Sequence, residues 1–263
     1  QYTIAVVGAL GNVGTEMRSI LEDATDLPIA GLVAMDVPDN AGRIVTWREK
    51  AHTVVAAAPA AFAGVDIAIF SAGEAAAKQL APEAVKRGAV CIDNSTAFRM
   101  DPEHPLVIPE VNPEALAGHR GIIANPNCST IQMVVALKPI KDAVGITRIN
   151  VATYQAVSGT GKEAIEELAS QTRALFNQQE VKVDVYPKRI AFNVLPQIDI
   201  FMENGYTKEE MKMVWETRKI MEDDAIVVNP TAVRVPVFYG HSEAVHIETR
   251  RKITAAEARA LLE

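Results

Sequence analysis

The sequence predicts an α/β protein in which a doubly wound parallel sheet is followed by a second, α+β domain. Three observations carry this expectation. Short, continuous apolar runs alternate with stretches of helical period through the first half, a glycine-rich turn follows the first of those runs, and after about residue 145 the runs lengthen and begin to alternate. A strand apolar on both faces belongs in a parallel sheet covered by helices, whereas alternation marks a sheet with one covered face.

Taken in order, Thr3 to Val7 reads as a strand and 12–23 as a helix; Ile29 to Val33 follows as a strand. Val65 to Phe70 is a strand leading into a helix at 74–87, and Ala89 to Ile92 and Ile122 to Ala124 are strands. A helix at 128–138 presents Ile131, Val134, Val135 and Leu137 as its apolar face. That series is a Rossmann-type domain. Beyond it, 146–159, 189–201 and 231–250 read as long strands, broken by helices at 161–178 and 207–222, and the alternation of Val233, Val235 and Val237 points to a largely antiparallel sheet. Thr207 with Glu210 makes a capping box for the second of those helices, whose stripe is Met211, Val214, Trp215 and Met221. Thr254 with Glu257 opens another helix, with Ala258, Leu261 and Leu262 on one face, and the sequence stops at Glu263 without a stop signal, so an incomplete C-terminus is expected.

Composition removes several function classes. A chain that is 49% hydrophobic and 22% charged is neither disordered nor fibrous. Its net charge of −7 and the absence of a Lys/Arg-rich run leave no footprint for nucleic acid or an anionic membrane, so a small-molecule partner is expected. The opening apolar run lacks a basic flank and is broken by Gly8, which fits a buried strand rather than a signal peptide. Cys91 and Cys128 show neither CxxC spacing nor nearby histidines, so no disulfide framework and no metal site is signalled, and the expected location is the cytoplasm.

Gly8, Gly11 and Gly14 punctuate the turn "GALGNVG" between a strand and a helix. Such glycines permit a tight turn and close approach of a pyrophosphate to the helix N-terminus, although the spacing is GxxGxxG rather than GxGxxG. A competing reading is a tight turn and nothing more. Asp36 follows Gly14 by 22 residues (36 − 14), at the end of the second strand. An acid there can bind the ribose hydroxyls of NAD and repel the 2′-phosphate of NADP; Arg43 can face that phosphate instead, or Asp36 is a solvated turn residue.

Cys128 stands at the start of a helix, after "NPN", where the positive end of the dipole favours a thiolate. Cys91 lies mid-strand between apolar residues and reads as inert core. Of five histidines, His241 alone follows a glycine at a break between two strand runs, where a scaffold presents a side chain to a cleft. His52, His104 and His119 sit in polar loops, and His246 alternates within a strand.

These residues carry a resemblance. "GALGNVG", "FSAG", "IDNSTAFR", "PEVNP", "NPNCSTIQ", "YQAVSGTGK", "LPQID", "YTKEEMKM" and "RVPVFYGHSEAVHIET" look like aspartate-β-semialdehyde dehydrogenase, in order from residue 1 to 263, with a poor stretch at about 30–62. The resemblance implies NADPH-dependent reductive dephosphorylation of L-β-aspartyl phosphate to L-aspartate 4-semialdehyde, in lysine, methionine and threonine biosynthesis. It implies Cys128 as nucleophile, His241 as proton shuttle and Gln155 as the residue orienting the acyl group. Arg99 and Lys212 are implied for the phosphate, Arg234 for the α-carboxylate and Glu209 for the amine. Gly8, Leu10, Gly11, Asn12, Val13, Gly14, Asp36, Ser71, Ala72, Gly73, Asn94, Ser95 and Asn127 are expected around the cofactor, which is NADP by kinship, with NAD open because of Asp36. The expected domains are 1–127 for the dinucleotide and 128–263 for catalysis and dimerisation, in a homodimer or tetramer. An N-acetyl-glutamyl-phosphate reductase-like enzyme and a catalytically silent nucleotide-binding relative are the alternatives.

Overall fold

Ile4 to Val7 are four consecutive buried residues, the signature of a central strand, and they close β1 (Tyr2–Val7). In the computed structural model, which describes residues 1–263, β1 pairs in parallel with β2 (Ile29–Asp36) on one side and β6 (Ile67–Phe70) on the other. The sheet continues through β7 (Val90–Asp93) and β8 (Ile122–Ala124) at one edge and ends with β5 (Val55–Ala56) at the other, in the order β5-β2-β1-β6-β7-β8. Strand order reverses between β1 and β6, and the crevice outside the carboxyl ends at such a switch point is where doubly wound sheets bind ligands. Helices α1 (Asn12–Asp23) and α2 (Glu74–Val85) follow β1 and β6.

The chain divides into two units, Gln1–Pro126 and Asn127–Glu263. In the second unit β9 (Ile146–Gln155) lies between β10 (Val227–Arg234), parallel to it, and β11 (Ser242–Thr249), antiparallel to it. Helices α3 (Cys128–Val144), α4 (Lys162–Phe176), α5 (Lys208–Met221) and α6 (Ala255–Leu262) complete it. The register matters for function. Arg234, the last residue of β10, pairs with Gln155, the last of β9, while Ser242 at the start of β11 pairs with Tyr154. One end of the sheet therefore gathers Gln155, Arg234 and the approach to β11.

Three expectations need correction, and one element is new. The second sheet is mixed, because the segment joining β9 to β10 contains two helices and makes the crossover a parallel pair requires. Residues 189–201 form no strand, only single bridges at Leu195 and Phe201. Pro196 has no amide hydrogen for a ladder, and Phe192 and Asp199 take positive φ of 55° and 68°. Helix α3 runs on through Pro139 to Val144, because burial of Ile140 and Val144 holds the last turns in place. A hairpin of β3 (Ile44–Trp47) and β4 (Lys50–Thr53) was not foreseen: its two-residue turn is Arg48-Glu49, both at positive φ, with none of the usual Asn-Gly signal. Arg48 is fixed there by donating to the carbonyls of Leu21 and Ala24 at the end of α1, at 3.3 and 3.0 Å, and by stacking 4.5 Å from the Trp47 ring.

The first helix is docked by glycine. A Cβ on Gly14 would stand 2.0 Å from the Gly8 carbonyl oxygen, a backbone atom that cannot yield without moving the turn. Gly14→Ala is expected to destabilise the protein by about 1–3 kcal/mol, the usual cost of overpacking, read as a lower denaturant midpoint at unchanged slope; an unchanged midpoint would show that the helix is docked otherwise.

Candidate active site

The turn after β1 is shaped for close approach of a ligand. Gly8 has φ 86°, and a Cβ there would lie 2.4 Å from the carbonyl oxygen of Ser71, so the turn lies directly against the end of β6. Gly11 is the N-cap of α1 and supplies no side-chain cap, which leaves the positive end of the helix to a ligand. A cleft of about 610 Å³ opens here, lined by Gly8, Gly11, Asp36, Ser71 and Ala72 together with apolar side chains. The glycine cradle and the uncapped helix fit a dinucleotide.

Asp36 is buried, with both carboxylate oxygens engaged. Oδ2 accepts from the Leu10 amide at 2.9 Å; Oδ1 accepts from the Val37 amide at 2.9 Å and from Asn40 Nδ2 at 2.7 Å. Burial pushes its pKa up, but these donors and Arg43 outweigh burial and hold it below the usual carboxylate value. Arg43 Nη1 in turn donates to Asn40 Oδ1 at 3.1 Å.

None of the other cofactor candidates lines this cleft. The Leu10 amide is taken by Asp36, Gly14 packs against the Gly8 carbonyl, and Asn12 and Val13 begin α1, Val13 with an exposed side chain. Gly73 is the N-cap of α2, at φ 82°. Asn94 and Ser95 follow β7 and are tied into their own loop: Asn94 Oδ1 accepts from Asn125 at 2.7 Å, and Ser95 Oγ donates to Asp93 at 2.7 Å. Arg99, buried in the same unit, donates Nη2 to the Asn94 carbonyl at 2.9 Å. Cys91 is buried, and burial foremost pushes its thiol up to about 12.

The second unit holds the other constellation. Cys128 is the first residue of α3 and is exposed. Asn127, placed by sequence near the cofactor, caps this helix: its Oδ1 accepts from the Ser129 and Thr130 amides at 3.0 and 3.3 Å. Its Nδ2 donates to Glu209 Oε1 at 2.9 Å, and Gln155 Nε2 donates to that same oxygen at 3.1 Å. Lys212 Nζ sits 3.0 Å from Glu209 Oε2 and 3.0 Å from Asp199 Oδ2. Burial alone would raise the Glu209 pKa, yet Lys212 and the Asn127 and Gln155 donors bring it below its ordinary value; burial would lower Lys212, yet Glu209 and Asp199 raise it. Both groups are therefore charged at neutral pH.

Ala156, just past β9, aligns the two remaining side chains. Its amide donates to His241 Nδ1 at 3.0 Å, and its carbonyl accepts from Arg234 Nη1 at 2.7 Å. With Nδ1 accepting, the neutral imidazole carries its proton on Nε2. Burial, followed by the Arg234 charge, pushes His241 below the ordinary histidine pKa against a smaller opposing effect of Glu209. Arg234 Nε is buried and has no partner in the protein, a donor available to a ligand.

Sequence reading missed the supports: Asp199 behind Lys212, Glu216 accepting from the Asn127 amide at 2.6 Å, and Tyr186 with Arg234 6.0 Å from its ring centre. Asp199 lay inside a quoted motif, but no local signal distinguishes these residues.

Comparison with known proteins agrees with this division. Residues 3–119 match the family model "Semialdehyde dehydrogenase, NAD binding domain" and 137–263 match "Semialdehyde dehydrogenase, dimerisation domain". The chain is 57% identical over 261 residues to aspartate-semialdehyde dehydrogenase of Legionella pneumophila, covering 98% of this chain and 75% of that protein. It is 53% identical to the Aquifex aeolicus enzyme of the same name, covering 99% and 78%. The chain belongs to the aspartate-semialdehyde dehydrogenase family. A solved Vibrio cholerae structure, aspartate semialdehyde dehydrogenase II complexed with ASA, superimposes with a TM-score of 0.97 at 52% identity, covering all of this chain and 78% of that one. As a family member the chain is an oxidoreductase with a nicotinamide-binding domain, and none of its helices is long and apolar enough to cross a membrane.

Gly159 keeps space beside the Ala156-aligned pair. A Cβ there would stand 3.2 Å from Arg234 Nη1 and 3.4 Å from His241 Nε2. Gly159→Ala is expected to lower kcat/KM about tenfold by displacing both groups by tenths of an ångström, with the melting temperature nearly unchanged; steady-state kinetics beside a thermal melt checks this.

Proposed function

We propose that the second unit carries out acyl transfer and the first holds the nucleotide in the NADP-dependent reductive dephosphorylation of L-β-aspartyl phosphate to L-aspartate 4-semialdehyde. One observation carries the reading: Glu209 Oε1 accepts from both Gln155 and Asn127, the residue that caps the Cys128 helix. A nucleophile, an amide and a carboxylate are thereby held in one hydrogen-bonded frame.

In this reading Cys128 Sγ attacks the acyl carbon, phosphate leaves, and a thioester forms. A bound nicotinamide nucleotide supplies the hydride that reduces it. His241, neutral with its proton on Nε2, hydrogen-bonds the acyl oxygen as negative charge collects there, and the tetrahedral oxyanion then collapses to the aldehyde, expelling the Cys128 thiolate that made the attack. Arg234 holds the α-carboxylate, with its unpartnered Nε as the free donor. Glu209, ionised, takes the ammonium, and Gln155 orients the acyl group. Lys212 holds the phosphate; the Asp199 and Glu209 carboxylates beside it keep that ammonium charged.

Kinship favours NADP. A second reading, NAD, has its own observation: Asp36 is the one charged residue lining the nucleotide cleft, and no Lys or Arg lines it. The family model over 137–263 supports a homodimer through the second unit, and two cysteines outside any disulfide agree with the cytoplasm.

The test is nucleotide reduction from aspartate semialdehyde plus phosphate, with NADP and NAD in parallel. Phosphate-dependent turnover is expected, reduced to below about one per cent in Cys128→Ala because covalent catalysis has no bypass; retention of more would remove the thioester. Asp36→Ser is expected to raise the NADP-to-NAD ratio of kcat/KM about tenfold or more, and an unchanged ratio would mean that Asp36 does not read the ribose. Because the imidazolium is disfavoured, the acidic limb of kcat/KM is expected below the ordinary histidine value of 6.5, with activity lost as pH falls through it.

A further inference from the structure

Helix α4 carries two polar side chains that packing alone would exclude. Glu167 is 7% exposed and Gln171, one turn on, 1%, and buried polar groups are kept only where they are satisfied. Both are satisfied by one segment of backbone. The Glu167 carboxylate accepts from the amides of Asp184, Val185 and Tyr186 at 2.7, 2.5 and 3.3 Å. Gln171 Oε1 accepts from the Ile190 and Ala191 amides at 3.0 and 3.1 Å, while its Nε2 donates to the Lys182 carbonyl at 2.8 Å. The stretch so pinned leads to Leu195, whose amide and carbonyl bond the backbone of Arg234 at 2.9 and 2.8 Å. It also brings Tyr186 to the other end of that residue, with the guanidinium carbon 6.0 Å from the ring centre. Tyr186 packs on the apolar cluster of Val157, Leu168 and Ile190 and donates its hydroxyl to Thr160 Oγ1 at 2.9 Å. Burial above all holds that phenol above its ordinary pKa, so the hydroxyl is a donor at neutral pH. Thr160 closes the turn Val157–Thr160 that follows Ala156, the residue whose carbonyl takes Arg234 Nη1. The proposed reaction uses none of Tyr186, Glu167 and Gln171.

We propose that Tyr186 is a positioning residue for substrate specificity: held by α4 through Glu167 and Gln171, its ring confines the Arg234 guanidinium to the orientation that binds the substrate's carboxylate. The proposal rests on the reading of Arg234 as the group that takes that carboxylate. An arginine side chain has many rotamers, and a two-pronged contact forms only from the few that present the planar fork. Here Nη1 is spent on Ala156, with Gly159 beside it, so the guanidinium is tied at one end only. The tyrosine ring supplies the second constraint, by packing and by cation–π attraction. Nε, buried without a protein partner, stays a free donor in that orientation. Ordering the side chain before substrate arrives strengthens binding of the carboxylate and leaves the chemistry at Cys128 and the nucleotide untouched.

The experiment compares Tyr186→Leu, Tyr186→Phe, Glu167→Gln and Arg234→Ala with wild type in the full chain, reading kcat and the KM of aspartate semialdehyde, phosphate and nucleotide beside a thermal melt. Tyr186→Leu is expected to raise the KM of aspartate semialdehyde about tenfold, with kcat and the other two KM values within about twofold, the pattern of lost binding rather than lost chemistry. Tyr186→Phe keeps the ring without the bond to Thr160 and is expected to raise that KM about threefold or less. Glu167→Gln turns an NH2 group toward backbone donors, so it is expected to raise the same KM about fivefold and to lower the melting temperature. In an Arg234→Ala background Tyr186→Leu is expected to add nothing, because the ring acts through the guanidinium. The proposal is overturned if Tyr186→Leu leaves the KM of aspartate semialdehyde unchanged, raises all three KM values together, or raises it as much without Arg234 as with it. Should Tyr186→Leu not fold, an unchanged KM in both Tyr186→Phe and Glu167→Gln overturns it. One readout needs no turnover: the Arg234 Nε–H resonance, assigned by its loss in Arg234→Ala, is expected to shift and to exchange faster with solvent in Tyr186→Leu. A resonance unmoved in Tyr186→Leu overturns the positioning itself, whether or not wild type turns over. A resonance that moves while Arg234→Ala keeps the wild-type KM removes the carboxylate reading of Arg234, and the proposal with it.

Discussion

The buried carboxylate of Glu209 is the constraint on which the site in the second unit depends. An ionised carboxylate inside a protein is tolerated only when its oxygens are satisfied, and here Oε1 takes Asn127 and Gln155 while Oε2 takes Lys212. Hydrogen bonds to a charged group contribute about 1.5–3 kcal/mol each, so moving any donor is costly. The consequence is geometric. Asn127 cannot shift without moving the first turn of α3, and Gln155 is the last residue of β9, so one carboxylate fixes a helix start against a strand end. Because the folded-state pKa of Glu209 is depressed, this stabilisation is present above its ordinary value of 4.5 and is lost as pH falls below it.

Sheet topology does the complementary task. A parallel partner ends where β9 ends, and an antiparallel partner begins there, so three strands deliver Gln155, Arg234 and His241 to one edge. A purely antiparallel meander would have sent the ends of β9 and β10 to opposite edges. The single peptide around Ala156 then orients both side chains, its amide choosing the histidine tautomer and its carbonyl holding the guanidinium. Both are backbone groups, which is why no side-chain motif announces them.

Much of the first unit was legible, because buried parallel strands write themselves as apolar runs and because Gly8, Gly11 and Gly14 have few other reasons to stand at that spacing. Cys128 and His241 were legible for a similar reason: each occupies a break where packing alone would not put it. What escaped was whatever depends on distant partners. The Arg48-Glu49 turn is held by carbonyls of α1, the bridge at Leu195 by the backbone of Arg234, and the extension of α3 past Pro139 by burial of Ile140 and Val144. Tertiary contacts pay for local conformations that the local sequence does not favour. The site shows the same asymmetry, since Asn127, Cys128, Gln155, Glu209, Lys212, Arg234 and His241 were named from sequence whereas Asp199, Glu216 and Tyr186, which contact some of them, were not.

Asp36 serves the fold, and in the proposed reading the same carboxylate also meets the nucleotide. Its two oxygens already accept three hydrogen bonds, which tie the glycine turn through Leu10 to the loop after β2 through Val37 and Asn40. A carboxylate has about four lone-pair sites, so one remains for a ribose hydroxyl, whereas a phosphate brings negative charge to a cleft with no lining cation. Relieving that repulsion by removing the carboxylate also removes the staple from the turn that approaches the pyrophosphate. On the proposed reading, nucleotide choice and nucleotide affinity are therefore coupled through this side chain. Serine can restore part of the stapling without the charge, while alanine loses both, so comparing the two separates the electrostatic contribution of Asp36 from its structural one.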